Sequence, residues 1–580
     1  MTIREQLNSI AEKRILILDG AMGSIIQALN LNERDFKGSR FTKHPTSLEG
    51  CNDVLCLSKP DAIGAIHDAY LEAGADIIET CSFNATSISL SAYGVGHLSH
   101  EISEAAAQIA RKSADKFSGG GAPRFVAGSI GPTAKGASLY PDVNDPGKRS
   151  IVWDELEAAY YDNARGLLDG GADILLIETI FDTLNAKAAL FAVSRLLEER
   201  QADVPIMISA AVSGESGRLL SGQSIEAFCV SVLHAKPWAI GLNCSLNAKK
   251  LMPFVHRLSK TAPCLVSAYP NAGLPNRLGR YEETAEMMSA DIGEYLKEGL
   301  VNIIGGCCGS TPAHIAAIAK TAAGQKPRGF SGSRRRGLFA GLETLYTEEN
   351  AIRITGTGND AEREEFLRLF KNGEYEDAVD TARDIVENGA DDGIINIETD
   401  DANAVSKFLD FALMNPYVAK APFFINSLRF DVIETALKRL QGRGIAGPLN
   451  LKDGEAEFLR RAHLVLRYGA AAAVTLADEQ GQAETCERGI EIARRAFNLL
   501  QNSGYPAENI RVVRKPPVSE QLPLKSAVLQ GFSLKNRRTW RQPTRLSNKS
   551  IVFFPDPASP FRDQVCSWIR DNCPDVLFAL

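Results

Sequence analysis

The first half of the chain alternates short, almost wholly apolar runs with longer amphipathic stretches. The runs are residues 15–19 (ILILD), 76–79 (DIIE), 125–129 (FVAGS), 173–178 (DILLIE), 205–209 (PIMIS), 238–242 (WAIGL), 264–269 (CLVSAY) and 301–305 (VNIIG). Continuous apolar runs of this length, without alternation, are what parallel strands buried on both faces look like in sequence. Between the first two runs, residues 60–74 place Ile63, Ile66, Tyr70 and Leu71 on one helical face, with Gly74 where a helix would stop. Eight strand-then-helix units predict a (β/α)8 barrel.

In such a barrel the C-terminal ends of the strands carry the active site. Here those ends bear Asp19, Glu79, Ser129, Glu178, Ser209, Asn243, Cys244, Tyr269, Cys307 and Cys308. Three thiolates brought together fit zinc with one coordination position left open, the arrangement of a catalytic site. A substrate thiol suits that open position, which points to sulfur alkylation. A disulfide between neighbours Cys307 and Cys308 would need a strained ring. A carboxylate at a strand end can simply cap the next helix, but Asp19 and Glu178 face the cysteines together and are expected to hold an ammonium group. Gly20, Gly131, Gly305 and Gly306 allow close backbone approach, and their N–H groups suit a carboxylate.

Composition narrows the classes. The 580 residues are 44% hydrophobic, enough for more than one cored domain. A net charge of −7 gives no reason to expect nucleic acid or an anionic membrane. No apolar run is long enough to span a bilayer, and residues 1–14 read as a polar helix without the apolar core of a signal peptide. Eleven cysteines with no such signal imply a reducing compartment, hence the cytoplasm.

Residues 18–23 (LDGAMG), 241–244 (GLNC), 269–276 (YPNAGLPN) and 305–312 (GGCCGSTP) resemble the homocysteine-binding domain of homocysteine S-methyltransferases. The version most similar is the N-terminal module of cobalamin-dependent methionine synthases, a choice that residues 177–187 (IETIFDTLNAK) strengthen. The resemblance covers about residues 5–325. It implies that Cys244, Cys307 and Cys308 ligate zinc and activate the thiol of homocysteine. It also implies that Asp19, Gly20, Glu178 and Asn243 bind the substrate.

The resemblance divides the chain into a homocysteine-binding zinc barrel (1–325), a flexible linker (326–345), a pterin-binding-like second barrel, divergent or incomplete (346–514), and an unassigned extension (515–580). Residues 375–383, 431–442, 451–455 and 478–483 look like the pterin barrel of methionine synthases. Its pterin-contacting motifs are eroded: of the family's polar positions, Asn359, Asn396 and Asp478 remain as weak candidates for pterin binding, which argues against tetrahydrofolate as a ligand. The Asp-x-His-x-x-Gly motif of the family's cobalamin domain is missing, so methylcobalamin would arrive in trans, on a separate cobalamin-binding protein. Two other readings stand beside this one. The methyl donor is a sulfonium such as S-methylmethionine, or the second half is a non-catalytic docking module.

Overall fold

The computed structural model describes residues 1–119, 122–142, 144–276, 281–329, 337–346, 360–389, 394–506, 510–513, 550–553 and 576–579. All eight apolar runs are strands: β1 (Leu16–Ile17), β2 (Ile77–Glu79), β3 (Phe125–Ile130), β4 (Ile174–Ile180), β5 (Ile206–Ala210), β6 (Ala239–Asn247), β7 (Leu265–Asn271) and β8 (Ile303–Ile304). Neighbours pair in parallel from β2 through to β8, and β8 pairs with β1. A bridge from Leu18 to Ile77 brings β1 back to β2, so the sheet returns on itself as the expected barrel.

Alternation within the strands is present but hidden in the sequence. Leu16, Ile77, Phe125, Leu176, Met207 and Ile303 stack in the barrel interior. Their neighbours Ile17, Ile78, Val126, Leu175, Ile208 and Ile304 pack against the surrounding helices. Both sets are apolar, so polar residues inside a run are few, Ser267 and Asn302 among them. The helix Pro60–Glu72 buries Ile63, Ile66, Tyr70 and Leu71 as its spacing predicts, and Gly74 follows at φ +104°.

The opposite end of the barrel is closed by the helix Ile3–Ala11. A capping box of Thr2 and Glu5 starts it, and Leu7 and Ala11 join the interior cluster. Asp76, 2% exposed, gathers this end. Its carboxylate accepts two N–H groups of Arg14 (2.6 and 2.8 Å), one of Arg124 (2.9 Å) and the backbone N–H of Ile17 (3.0 Å).

The expected flexible linker is not what 326–345 forms where it is described. Arg328 is buried, donating to the carbonyls of Ser259, Ala262 and Cys264. Strands β9 (Gly337–Ala340) and β10 (Thr344–Tyr346) make an antiparallel hairpin with Phe339, Ala340 and Leu345 buried. Polar and glycine-rich composition suggests a solvated connection, but the hairpin's few apolar residues find both halves to pack against. The triple arginine, Arg334–Arg336, and most of the polar stretch from 515 lie outside the described residues, as does the helix-like run 561–570.

The rear half is a second parallel sheet in chain order: β11 (Ile395–Glu398), β12 (Phe423–Asn426), β13 (Ile445–Leu449), β14 (Ala471–Thr475), then β17 (Ile510–Val513), β18 (Ser550–Phe553) and β19 (Val576–Ala579). A small hairpin, β15 (Ala477–Asp478) and β16 (Gly481–Gln482), follows β14. This sheet has seven strands among the described residues, with β11 and β19 at its two edges. The rear half abuts the outer helices of the front barrel. Trp153, Phe191 and Tyr468 form one aromatic cluster with ring centroids 4.7–5.9 Å apart, and Arg149 pairs with Asp410 at 3.1 Å. No described helix is long and apolar enough to cross a membrane.

Asp76→Ala would leave two guanidinium groups and one buried backbone N–H without their acceptor. It should destabilise the protein by about 3 kcal/mol, read as a lower urea midpoint by tryptophan fluorescence.

Candidate active site

Cys244 lies in β6, and Cys307 and Cys308 follow β8, with β7 between them. Barrel curvature turns both strand ends inwards, and the three sulfurs lie within 4.8 Å of one another. Cys244 Sγ and Cys308 Sγ are 3.7 Å apart. Metal–sulfur bonds of about 2.3 Å in a tetrahedron give a sulfur–sulfur edge of roughly 3.8 Å, which the Cys244–Cys308 pair already matches.

The backbone enforces this approach. Cys244 (φ +56°) and Ser245 (φ +60°) are both left-handed, a conformation that costs of order 1–3 kcal/mol for residues other than glycine. The doublet is pinned by its main chain. Cys307 N–H donates to Pro270 O (2.8 Å), Ala272 N–H donates to Cys308 O (2.9 Å), and Gly309 N–H donates to Ser24 Oγ (3.0 Å). Gly309 sits at φ +81°, and a Cβ there would stand 2.2 Å from the Tyr281 ring. Hydrogen bonds from the Cys244 and Cys307 thiols push Cys308 down to about 3. Contact with Cys244 and Cys308, and then burial, pushes the Cys307 thiol well up. The trio therefore already favours one thiolate held by two thiols.

Three carboxyl groups stand beside the sulfurs. Asp19 Oδ2 accepts the N–H of Glu79 at 3.0 Å, and Ser129 Oγ–H donates to Glu178 Oε1 at 2.5 Å. Asp19 Oδ1 and Glu79 Oε1 are buried with no hydrogen-bond partner among the described residues. Burial pushes all three carboxyls up, Glu178 to about 7, and the negative field of Glu178 adds to the shifts of Asp19 and Glu79. A cavity of about 220 Å³ joins Glu79 and Glu178 to the three thiols, lined also by Gly20, Asp53, Cys81 and Phe83. At Gly20 a Cβ would come within 2.7 Å of Ser310 Oγ and 2.9 Å of the Tyr70 ring, so any side chain there would displace the rim.

A family model described as homocysteine S-methyltransferase matches residues 16–322. The chain belongs to the homocysteine S-methyltransferase family. Its class of chemistry is accordingly methyl transfer to the thiol of homocysteine. Among solved structures, the homocysteine methyltransferase MmuM from Escherichia coli in its oxidized form is 24% identical, over 54% of this chain and 99% of that one, with a TM-score of 0.42. Its metallated form is 24% identical over 53% of this chain and 96% of that one, with a TM-score of 0.41.

Of the residues expected from the sequence, Asp19, Gly20, Glu178, Cys244, Cys307 and Cys308 converge on this region of the rim. Asn243 has a different place from the substrate contact expected of it. It is 0% exposed, and its amide is used internally. Its Oδ1 accepts Thr179 N–H (3.1 Å) and Ser209 Oγ–H (2.8 Å), and its Nδ2 donates to Thr179 Oγ1 (2.8 Å). His314 is a helix-start residue, bonded to Thr311 and to Glu283 O.

The pterin candidates do not join the front site. Asn396 is on β11 and Asp478 on β15, and Asn359 lies outside the described residues. Asp478 is 2% exposed and ion-paired with Arg488. Asn396 Oδ1 and, on the next strand, Asn426 Oδ1 are buried without partners among the described residues.

Two acidic residues of the cavity, Glu79 and Asp53, have no role assigned from the sequence. Glu79 ends its strand as Asp19 and Glu178 end theirs, and that shared position was the available signal. Asp53 sits in the short helical turn Asn52–Val54, where no strand periodicity marks it.

The thiol trio predicts one thiophilic divalent ion per chain by elemental analysis. Cys307→Ala and Cys244→Ala should each reduce this to well under half occupancy while leaving the far-ultraviolet circular dichroism unchanged.

Proposed function

We propose that residues 1–325 catalyse zinc-dependent methyl transfer to homocysteine, with methylcobalamin, presented by a separate protein, as methyl donor. The observation that carries this reading is the pairing of two unmet demands at one rim of strand ends. Three thiols fit a soft metal, and two buried carboxylate oxygens, on Asp19 and Glu79, lack any partner among the described residues. Homocysteine offers a thiol and an ammonium group and answers both.

Cys244, Cys307 and Cys308 would hold zinc, which would supply the Lewis acidity that lets a thiol lose its proton at neutral pH. The chain's own residues then do the positioning. Asp19 and Glu79 take the ammonium group, and Glu178, fixed by Ser129, completes the negative wall. Backbone N–H groups near Gly20 face the substrate carboxylate. Held in this way, the sulfur meets the methyl group in line and the entropy of the encounter is largely met in advance.

A cavity of about 220 Å³ admits an amino acid but no corrin ring. The corrin's methyl face must therefore be presented at the mouth, which supports a carrier protein. The same cavity also favours a second reading. Asp53 and Phe83 on its wall suit a small cationic donor, a sulfonium such as S-methylmethionine. The linker and rear half, 326–345 and 346–514, act on this reading as scaffold and docking surface without tetrahydrofolate. The capture of Asp478 by Arg488 supports that role, since the acid is no longer open to a pterin. The extension, 515–580, adds strands to the rear sheet at 550–553 and 576–579.

Methionine formation by the zinc-loaded protein, with methylcobalamin, S-methylmethionine or methyltetrahydrofolate plus cobalamin, tests the donor. Turnover with methylcobalamin is expected, with Cys307→Ala reducing it at least about a hundredfold. Turnover with the sulfonium alone would replace the leading reading with the second.

A pH profile tests the ammonium site. Glu178 is pushed up to about 7, and only its anionic form attracts a cation. Methionine carries the same ammonium group and no thiol proton. Its affinity should weaken as pH falls from 8 to 6, approaching about tenfold per unit below the pKa, as measured by calorimetry.

A further inference from the structure

The segment that leaves β4 is held from two sides. Thr179 sits at φ +54°, a genuine outlier for a β-branched residue, which persists only where its surroundings over-determine it. From the barrel side Asn243 grips both its N–H and its hydroxyl, while the same amide lies 4.0 Å from Cys307 Sγ. From the other side the grip comes from the rear half.

Three ties make this second grip. Thr183 Oγ–H donates to Gln223 Oε1 (2.6 Å), and Gln223, 0% exposed, donates through Nε2 to Gly341 O in the turn of the β9–β10 hairpin (2.7 Å). Ser221 N–H donates to Phe181 O (3.0 Å), and Gln441 Nε2 in turn donates to Ser221 O (3.2 Å). Lys187, 1% exposed on the helix Thr183–Glu199, donates its ammonium group to Leu440 O (2.7 Å) and Gly442 O (3.0 Å). The same helix start holds the loop after β3, because Asp182 accepts Ser138 N–H (2.8 Å) and Asn185 accepts Ala137 N–H (2.9 Å).

We propose that Lys187 and Gln223 are positioning residues for homocysteine. Through them the rear half fixes residues 178–183, and with them the Glu178 carboxylate and the Thr179–Asn243 pair behind Cys307. The inference rests on reading the cavity as a homocysteine site. It gives the rear half a part in the reaction that needs no ligand of its own. Neither residue touches substrate, and both act through the backbone that carries Glu178. A buried amine that donates to two main-chain carbonyls ties the helix directly to the rear half. Misplacement of a binding group by as little as about 1 Å can cost up to roughly a hundredfold in rate.

The test uses the full chain loaded with zinc. Lys187→Met should weaken homocysteine binding roughly tenfold by calorimetry, at unchanged zinc content, and speed amide hydrogen exchange at 178–183. Lys187→Arg, which keeps donors for both carbonyls, should restore affinity to within about threefold. Lower thermal stability with unchanged affinity and unchanged local exchange would overturn the proposal, since the contact would then only brace the fold. Gln441→Leu removes the Ser221 tie alone and keeps the test readable if Lys187→Met does not fold. A loss of about threefold in affinity is expected there, and no change would overturn the proposal. Wild-type protein that binds no homocysteine would remove the homocysteine reading itself, and this inference with it.

Discussion

Three carboxyl groups, Asp19, Glu79 and Glu178, are enclosed together at one end of the barrel with no cation among the described residues beside them, and the rest of the front half is organised around that burial. Each is surrounded by protein, and each resists ionisation as a result. Burying an unpaired charge is among the more costly things a fold does. Such a cluster survives only on a scaffold that does not collapse onto it. A returning parallel sheet is that scaffold: its interior side chains interlock below the rim, and the strand ends cannot move together or apart without breaking many backbone hydrogen bonds.

Strain marks the same layer. Thr179, Cys244 and Ser245 all adopt left-handed backbone. They lie within one residue of Glu178 or at the Cys244 thiol and its neighbour. Asn243 links these places, bonded to Thr179 on one strand and reaching towards Cys307 beyond another. An amide with all its strong bonds made is a poor substrate contact and a good spacer. The geometry that brings three sulfurs to tetrahedral spacing is therefore not local to the cysteines. It is shared across β4, β6 and β8.

The barrel was legible in the sequence because parallel strands buried on both faces leave uninterrupted apolar runs, and every such run proved to be a strand. The rim followed, since in this fold a polar residue ending a run has few other places to be. What stayed hidden depends on distant partners. Lys187 reads as an ordinary helix lysine until Leu440 and Gly442 are seen to cap it. Arg328 and the β9–β10 hairpin lie in a stretch whose composition suggests solvent, and only the packing of Phe339 and the carbonyls around Arg328 reveal otherwise. Asn243 was recognisable as a rim residue, but whether its amide faced the cavity or its neighbours is a matter of side-chain direction, which spacing does not encode. Asp53 sits in a turn, where no period distinguishes a cavity wall from a cap.

The two halves differ in how their strand ends treat polar groups. In the front, buried carboxyl oxygens at strand ends are left without partners among the described residues, and a cavity reaches Glu79 and Glu178. In the rear, Asp478 occupies a comparable position after a strand but is closed off by Arg488. The unpaired atoms described there, Asn396 Oδ1 and Asn426 Oδ1, are neutral amide oxygens. A missing hydrogen bond to such a group costs of order 1–3 kcal/mol, far less than an unpaired buried carboxylate, and a single water would remove it. The front cluster has no comparably cheap remedy within the protein. Its carboxyls, each raised by burial, stand instead beside three thiols on one rim.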